Sequence, residues 1–228
     1  INPYGRDKLE EYKINTLSER RYGGTLSWLA ADGKDNEQTD GIGASEAIKV
    51  IENFANNGHH FFLAVGFFRP HTPFVAPKKY FDLYDREEMV IQKNSNDYLK
   101  TIPVPAAKTI RAKYNQLDLD VDLAKEIKEA YYSTVSFVDA QVGRVLQKLK
   151  ETGLDKNTIV VFTSDHGYHL GEHGHWQKLT LFENATRIPL IIYAPNMSGG
   201  QFVKSPVELL DLYPTLMDLT EIKTPKHV

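Results

Sequence analysis

Apolar positions along the chain fall into short blocks separated by polar, glycine-rich and proline-rich stretches, and the spacing within each block predicts its conformation. Ala44, Ala47, Ile48, Ile51 and Phe54 recur at helical intervals, and Asn56, Asn57 and Gly58 supply a stop, so a helix is expected over 44–56. The unbroken apolar run from Phe61 to Val65, bounded by Gly66, reads as a strand. Pro70, Pro73 and Pro77 make 67–76 a loop, and 77–84 reads as a short helix with proline in first position. The polar stretch 85–118, with Pro103 and Pro105, reads as an excursion over the surface. From Val121 to Gly153 the residues Ile127, Tyr131, Val135, Val138, Val142, Val145 and Leu149 step by three or four, which predicts a long amphipathic helix. That helix leads into the β-branched run 158–163, read as a buried strand. A further apolar run at 188–193 gives another, with Pro189 at its beginning. Residues 211–219 read as a helix capped by Asp211 with Pro214 in its first turn. Residues 1–40 are polar and read mostly as surface connection with short helical pieces. Helices alternating with buried strands predict an α/β fold, a layered sheet with helices on both faces.

Composition narrows the function. At 228 residues and 41% hydrophobic content the chain is long enough to bury a core. Its 27 basic and 30 acidic residues are well mixed at a net charge of -3, so there is no electrostatic footprint for nucleic acid. No apolar stretch approaches the roughly 20 residues that span a bilayer. Zero cysteine excludes disulfides and thiolate metal sites. The start at Ile1, without an initiator methionine, suggests a segment of a longer chain. Asn184 and Asn196 lie in sequons that would permit glycosylation in a secreted protein.

Candidate chemistry concentrates in SDHGYHLGEHGHWQK at 164–178, directly after the 158–163 strand. Ligands in open α/β sheets gather beyond the carboxyl ends of strands. Asp165 there is either a hard carboxylate ligand for a divalent cation or the cap of a following turn. Gly167 permits a sharp turn or a close backbone approach. His166 suits zinc, iron or manganese better than calcium when considered alone. His169, His173 and His175 read as hydrogen-bonding loop residues; His169 and His173 have the four-residue spacing of a helical zinc site, but Gly171 and Gly174 oppose a helix. Lys178 is either a solvated lysine or a point charge for a sulfate or phosphate oxygen. His71, flanked by Pro70 and Pro73, is held where a general acid could act. A parallel arrangement of the 61–65 and 158–163 strands would bring both loops to one sheet edge.

The segments FFLAVGFFRPHTPF (61–74), SDHGYHLGEHGHWQK (164–178), ATRIPLII (185–192) and DLYPT (211–215) together resemble the sulfatase family, and within it the iduronate-2-sulfatase branch. The resemblance runs from about residue 25 to 220 and implies the alkaline-phosphatase-like fold, present as a partial domain. It implies a sulfuric ester hydrolase with a Ca2+ ion at the sulfate. Asp165 and His166 match half of that metal site, and His71 and Lys178 match residues that contact sulfate and assist departure of the alcohol. Tyr168 matches a position near the sugar. Members of the family attack sulfur with a formylglycine made from a Cys/Ser-x-Pro-x-Arg motif, which this chain does not contain.

The resemblance therefore implies the carboxyl-side portion of a catalytic domain, with 1–40 connecting, 41–220 forming the α/β core and 221–228 a tail. Its partner would be the upstream half of the same enzyme, which would supply formylglycine and the other calcium ligands, and the fragment alone would be inactive. The expected substrate is a sulfated small molecule or saccharide such as a glycosaminoglycan, met in a periplasmic, secreted or lysosomal setting. Two alternatives stand beside it: a phosphoester hydrolase of the same superfamily and a catalytically silent binding module.

Overall fold

The computed structural model describes residues 13–17, 26–94 and 97–226. Its strands are β1 (Asn15–Thr16), β2 (Ser27–Ala31), β3 (Phe74–Pro77), β4 (Val160–Thr163), β5 (His169–Leu170), β6 (Trp176–Gln177) and β7 (Leu190–Tyr193). Its α-helices are α1 (Thr39–Asn57), α2 (Lys78–Phe81), α3 (Tyr98–Thr101), α4 (Val104–Arg111), α5 (Val121–Glu151), α6 (Glu183–Thr186) and α7 (Leu212–Leu219).

The core is built where α5 crosses the sheet β1-β2-β3. β1 runs antiparallel to β2, and β2 runs parallel to β3 with Trp28 opposite Phe74 and Ala31 opposite Pro77. Alternation along these strands separates two faces. Trp28, Phe74 and Ala76 join Ala124, Ile127, Ala130 and Phe137 of α5 in one cluster, while Leu29, Ala31 and Val75 form another with Ile14. The indole Nε1 of Trp28 donates to Glu126 on α5 at 2.9 Å, which fixes the helix along its length as well as by packing. β2 thus places a buried strand within the first forty residues, a stretch whose polarity suggested surface connection; residues 1–12 and 18–25 lie outside the described residues.

Helix α5 keeps close to its expected ends because both carry end signals. The Asp120 carboxylate accepts from the backbone N–H of Asp122 at 3.0 Å and of Leu123 at 3.3 Å, and Gly153 follows with φ of 74°. Its buried face differs from the expected stripe. Val135 is exposed, and Ala130, Ser133, Thr134, Phe137 and Gln141 are buried instead. Ala130, Ser133 and Thr134 let the helix approach the sheet closely, and Phe137 fills the core beside them. Helix α1 starts at Thr39, five residues before the periodic pattern, and ends on Gly58 with φ of 65°, as its stop signal predicts. Arg144 of α5 binds the Gly41 carbonyl at 3.3 Å and the Ser45 hydroxyl at 2.8 Å on α1. The 85–118 segment is less superficial than its polarity suggests, since Ala107, Ile110 and Gln116 are buried.

Two strand expectations need correction. Residues 61–68 form no ladder; Phe62, Ala64, Gly66 and Phe68 are exposed while Phe61, Leu63, Val65 and Phe67 are half-buried. The period of two is that of a strand, yet among the described residues no neighbouring strand pairs with it. β4 and β7 pair antiparallel with each other, Val160 opposite Tyr193, and are not buried: Phe162, Ile191, Ile192 and Tyr193 are exposed. Apolar runs specified the strands but not their covering layer.

β5 and β6 form a small antiparallel hairpin with His169 opposite Gln177. His169 and His175, read from sequence as loop residues, are buried there with ring centroids 5.0 Å apart. Burial, with the neighbouring imidazoles, pushes His169 down to about 4 from 6.5; burial, with Lys113 and His173, does the same to His175. Below pH 6.5 the unfolded chain gains protons that the folded hairpin refuses, so this contribution to stability is full above 6.5 and is lost as pH falls toward 4. Scanning calorimetry should therefore give a melting temperature that drops between pH 6.5 and 4, with a shallower drop in His175→Gln; equal slopes would exclude these imidazoles as the cause. A second expectation concerns Gly41, where a Cβ would lie 1.7 Å from the Asp35 carbonyl oxygen. Gly41→Ala should cost about 3 kcal/mol in urea unfolding, because backbone rather than a flexible side chain must move.

Candidate active site

The turn that precedes β3 and the loop that leaves β4 meet at one cavity of about 300 Å³. Phe67 to Thr72 line one side, Ser164 to Tyr168 another, and Tyr131 of α5 lies between them. Aromatic packing joins the three pieces: the Tyr131 ring is 5.5 Å from Phe74 and 5.1 Å from Tyr168, and Phe74 is 6.0 Å from Tyr168. His71 and Asp165, predicted to share an edge through parallel strands, therefore share a cavity without them.

His71 is oriented by its own turn. Its Nδ1 lies 2.7 Å from the Thr72 carbonyl oxygen, which can only accept, so Nδ1 carries the proton and Nε2 is the atom left for a ligand. Burial lowers the affinity of this imidazole for a second proton, and the positive charges of Lys178 and Arg69 lower it further, against the Thr72 bond. Positive charge within electrostatic reach of the ring is what an anion would complement. Lys178 does not line the cavity itself. Its ammonium acts from the end of the β5–β6 hairpin, within electrostatic reach of His71.

Asp165 and His166 present a donor pair. The Asp165 carboxylate is 82% exposed, and its Oδ2 lies 3.4 Å from His166 Nε2. His166 Nδ1 donates to the Gly167 carbonyl at 2.8 Å, which leaves Nε2 a lone pair facing a carboxylate oxygen. Two acceptors so placed call for a cation or a proton between them. A carboxylate beside an imidazole whose other nitrogen is held by a backbone carbonyl is the donor chemistry of a divalent site. Among the described residues no third His, Cys, Asp or Glu completes a cluster, so the pair by itself does not make a metal site. Gly167 is required behind it: its N–H donates to the Ala185 carbonyl at 2.8 Å, and a Cβ would fall 2.1 Å from the Asn184 carbonyl oxygen. The close approach observed at this glycine is made by helix α6.

Tyr168 presents its ring to the cavity, but its hydroxyl is buried without a hydrogen-bond partner, and burial pushes its pKa far up. In this structure it serves as a wall, with no polar atom offered to a ligand. Tyr131, pushed up to about 12 by burial, is a second phenol that stays protonated. Its place in a periodic helical stripe marked it as core, and nothing in that pattern separated the cavity wall from the rest. His169, His173 and His175 do come together, with His173 stacked 4.0 Å from Phe182 and hydrogen-bonded to Tyr98, yet they make no metal-holding group.

The Sulfatase family model matches residues 4–222. A sulfatase of Formosa agariphila is 42% identical over 183 residues, covering 76% of this chain and 35% of that protein. Iduronate 2-sulfatase of Mus musculus is 32% identical over 231 residues, covering 86% of this chain and 42% of that protein. The phosphonate monoester hydrolase of Silicibacter pomeroyi superposes with a TM-score of 0.76 at 27% identity, covering 85% of this chain and 40% of that one. The chain thus spans about two fifths or less of the curated relatives it matches, and its α/β fold is a partial alkaline-phosphatase-like domain. Matched over nearly its whole length, the chain belongs to the sulfatase family.

Proposed function

We propose that this chain is the carboxyl-side part of a sulfatase catalytic domain that releases sulfate from a sulfated sugar. The observation that carries the reading is the meeting of His71, within electrostatic reach of Lys178 and Arg69, with the Asp165–His166 donor pair at one cavity. The sugar is supported by the 32% identity to a protein named iduronate 2-sulfatase. Domain organisation follows the same reading, with a working core that extends from β2 to about residue 220 and the nucleophile, a formylglycine in this family, supplied from outside this chain.

In that role Lys178 balances charge on the sulfate oxygens. Asp165 and His166 hold a divalent cation, calcium by family resemblance, which would draw further charge from the same oxygens. As the S–O bond to the alcohol breaks, Nε2 of His71 gives its proton to the departing oxygen. The resting imidazole is held below its ordinary value, so it takes up that proton when the anion enters and offsets the surrounding positive charge. Tyr168 shapes the sugar side by its ring face alone. The second reading, hydrolysis of a phosphoryl ester, is favoured by the likeness to a phosphonate monoester hydrolase at 27% identity.

Sulfate release by the intact protein decides between them: faster turnover of sulfate than of phosphate or phosphonate monoesters is expected, and the reverse order would select the second reading. In that protein His71→Ala should lower kcat about a hundredfold or more on a sugar sulfate. Asp165→Ala should abolish the activity that calcium restores after chelation, and full activity in either variant would contradict the assignment.

A further inference from the structure

Asp40 lies in the first turn of α1, far in sequence from the cavity, and does not line it. Its carboxylate is 3% exposed and takes two consecutive backbone donors: the N–H of Phe68 to Oδ1 at 2.9 Å and the N–H of Arg69 to Oδ2 at 2.9 Å. Those residues begin the turn that carries His71. The His71 N–H donates to the Phe68 carbonyl at 2.8 Å, and Arg69 Nε donates to the Val75 carbonyl at 2.9 Å. One carboxylate therefore holds the peptide to which the His71 backbone is itself tied. On the far side of His71, the Thr72 hydroxyl lies 3.1 Å from the Ser27 hydroxyl, so the turn is fastened to α1 at one end and to β2 at the other.

We propose that Asp40 is a positioning residue for His71, given the proton-donor role assigned to that imidazole. A carboxylate can only accept, so both oxygens suit the two N–H groups. Asparagine would turn an NH2 toward one of them, and the turn would lose its seat. The ring is then displaced relative to the departing oxygen, and displacements of about 1 Å cost on the order of a hundredfold in rate. A carboxylate serving only the dipole and stability of α1 would have no such selective effect.

The test uses the intact protein and two sulfate esters, an alkyl or sugar sulfate whose alcohol needs a proton to depart and 4-nitrophenyl sulfate whose phenolate does not. Asp40→Asn should lower kcat about a hundredfold on the first and less than about threefold on the second, with KM little changed. Asp40→Glu, which keeps the charge but moves the carboxylate by one methylene, should show the same selective loss and carries the test if the asparagine variant does not fold. Added to His71→Ala, either substitution should cost almost nothing further, because both act through one group. Equal losses on the two esters, additive losses with His71→Ala, or a lowered melting temperature alone would overturn the positioning role and leave the hydrolase reading intact. If the unmutated protein hydrolyses neither ester, the hydrolase reading itself fails and the role of Asp40 falls with it.

Discussion

Aromatic contact among Phe74, Tyr131 and Tyr168 is the constraint on which the site depends. Phe74 opens β3 just after the His71 turn, Tyr168 closes the Asp165–His166 loop, and Tyr131 reaches both from α5. Edge-on and stacked rings of this kind are sensitive to relative orientation as well as distance. Two segments nearly a hundred residues apart are thereby held on either side of one cavity. The same contact encloses the Tyr168 hydroxyl, which leaves a buried polar group without a partner. Such a group costs stability.

Electrostatics then gives the cavity its preference. Arg69 and Lys178 place positive charge near His71, and burial lowers the affinity of that imidazole for a second proton. The Asp165 carboxylate stands opposite, exposed, with contacts from its chain neighbours Ser164 and His166. An anion bridging the two sides would satisfy the cationic groups, while a cation on Asp165 and His166 would relieve the facing lone pairs. On the proposed function, an oxyanion bound beside a divalent ion would suit both halves of the arrangement at once.

The elements that could be read directly from the chain were those with local signals at both ends. Helix α5 is bounded by the Asp120 cap and Gly153, and α1 stops on Gly58 as its asparagine run suggested. Its start escaped notice because Thr39 and Asp40 are polar yet buried. The apolar run 61–65 carried strand periodicity but not its partner, since pairing depends on a second segment that periodicity cannot name. His71 and Asp165 nevertheless meet, through the aromatic bridge and not through adjacent parallel strands. Asp40 could not have been found at all from residue types: its partners are backbone N–H groups 28 and 29 residues away, and every residue but proline carries such a donor. The imidazoles of His169 and His175 were hidden for a related reason, because glycine-rich polar sequence does not disclose that a hairpin folds them inward.

A crystal structure of the intact protein grown with calcium and a non-hydrolysed sulfate or sulfate analogue would test the central claim most directly. The account predicts an oxyanion within hydrogen-bonding distance of His71 Nε2, flanked by Lys178, with the cation bound to Asp165 and His166. An anion bound elsewhere, or a His71 turn facing away from the Asp165 loop, would contradict it.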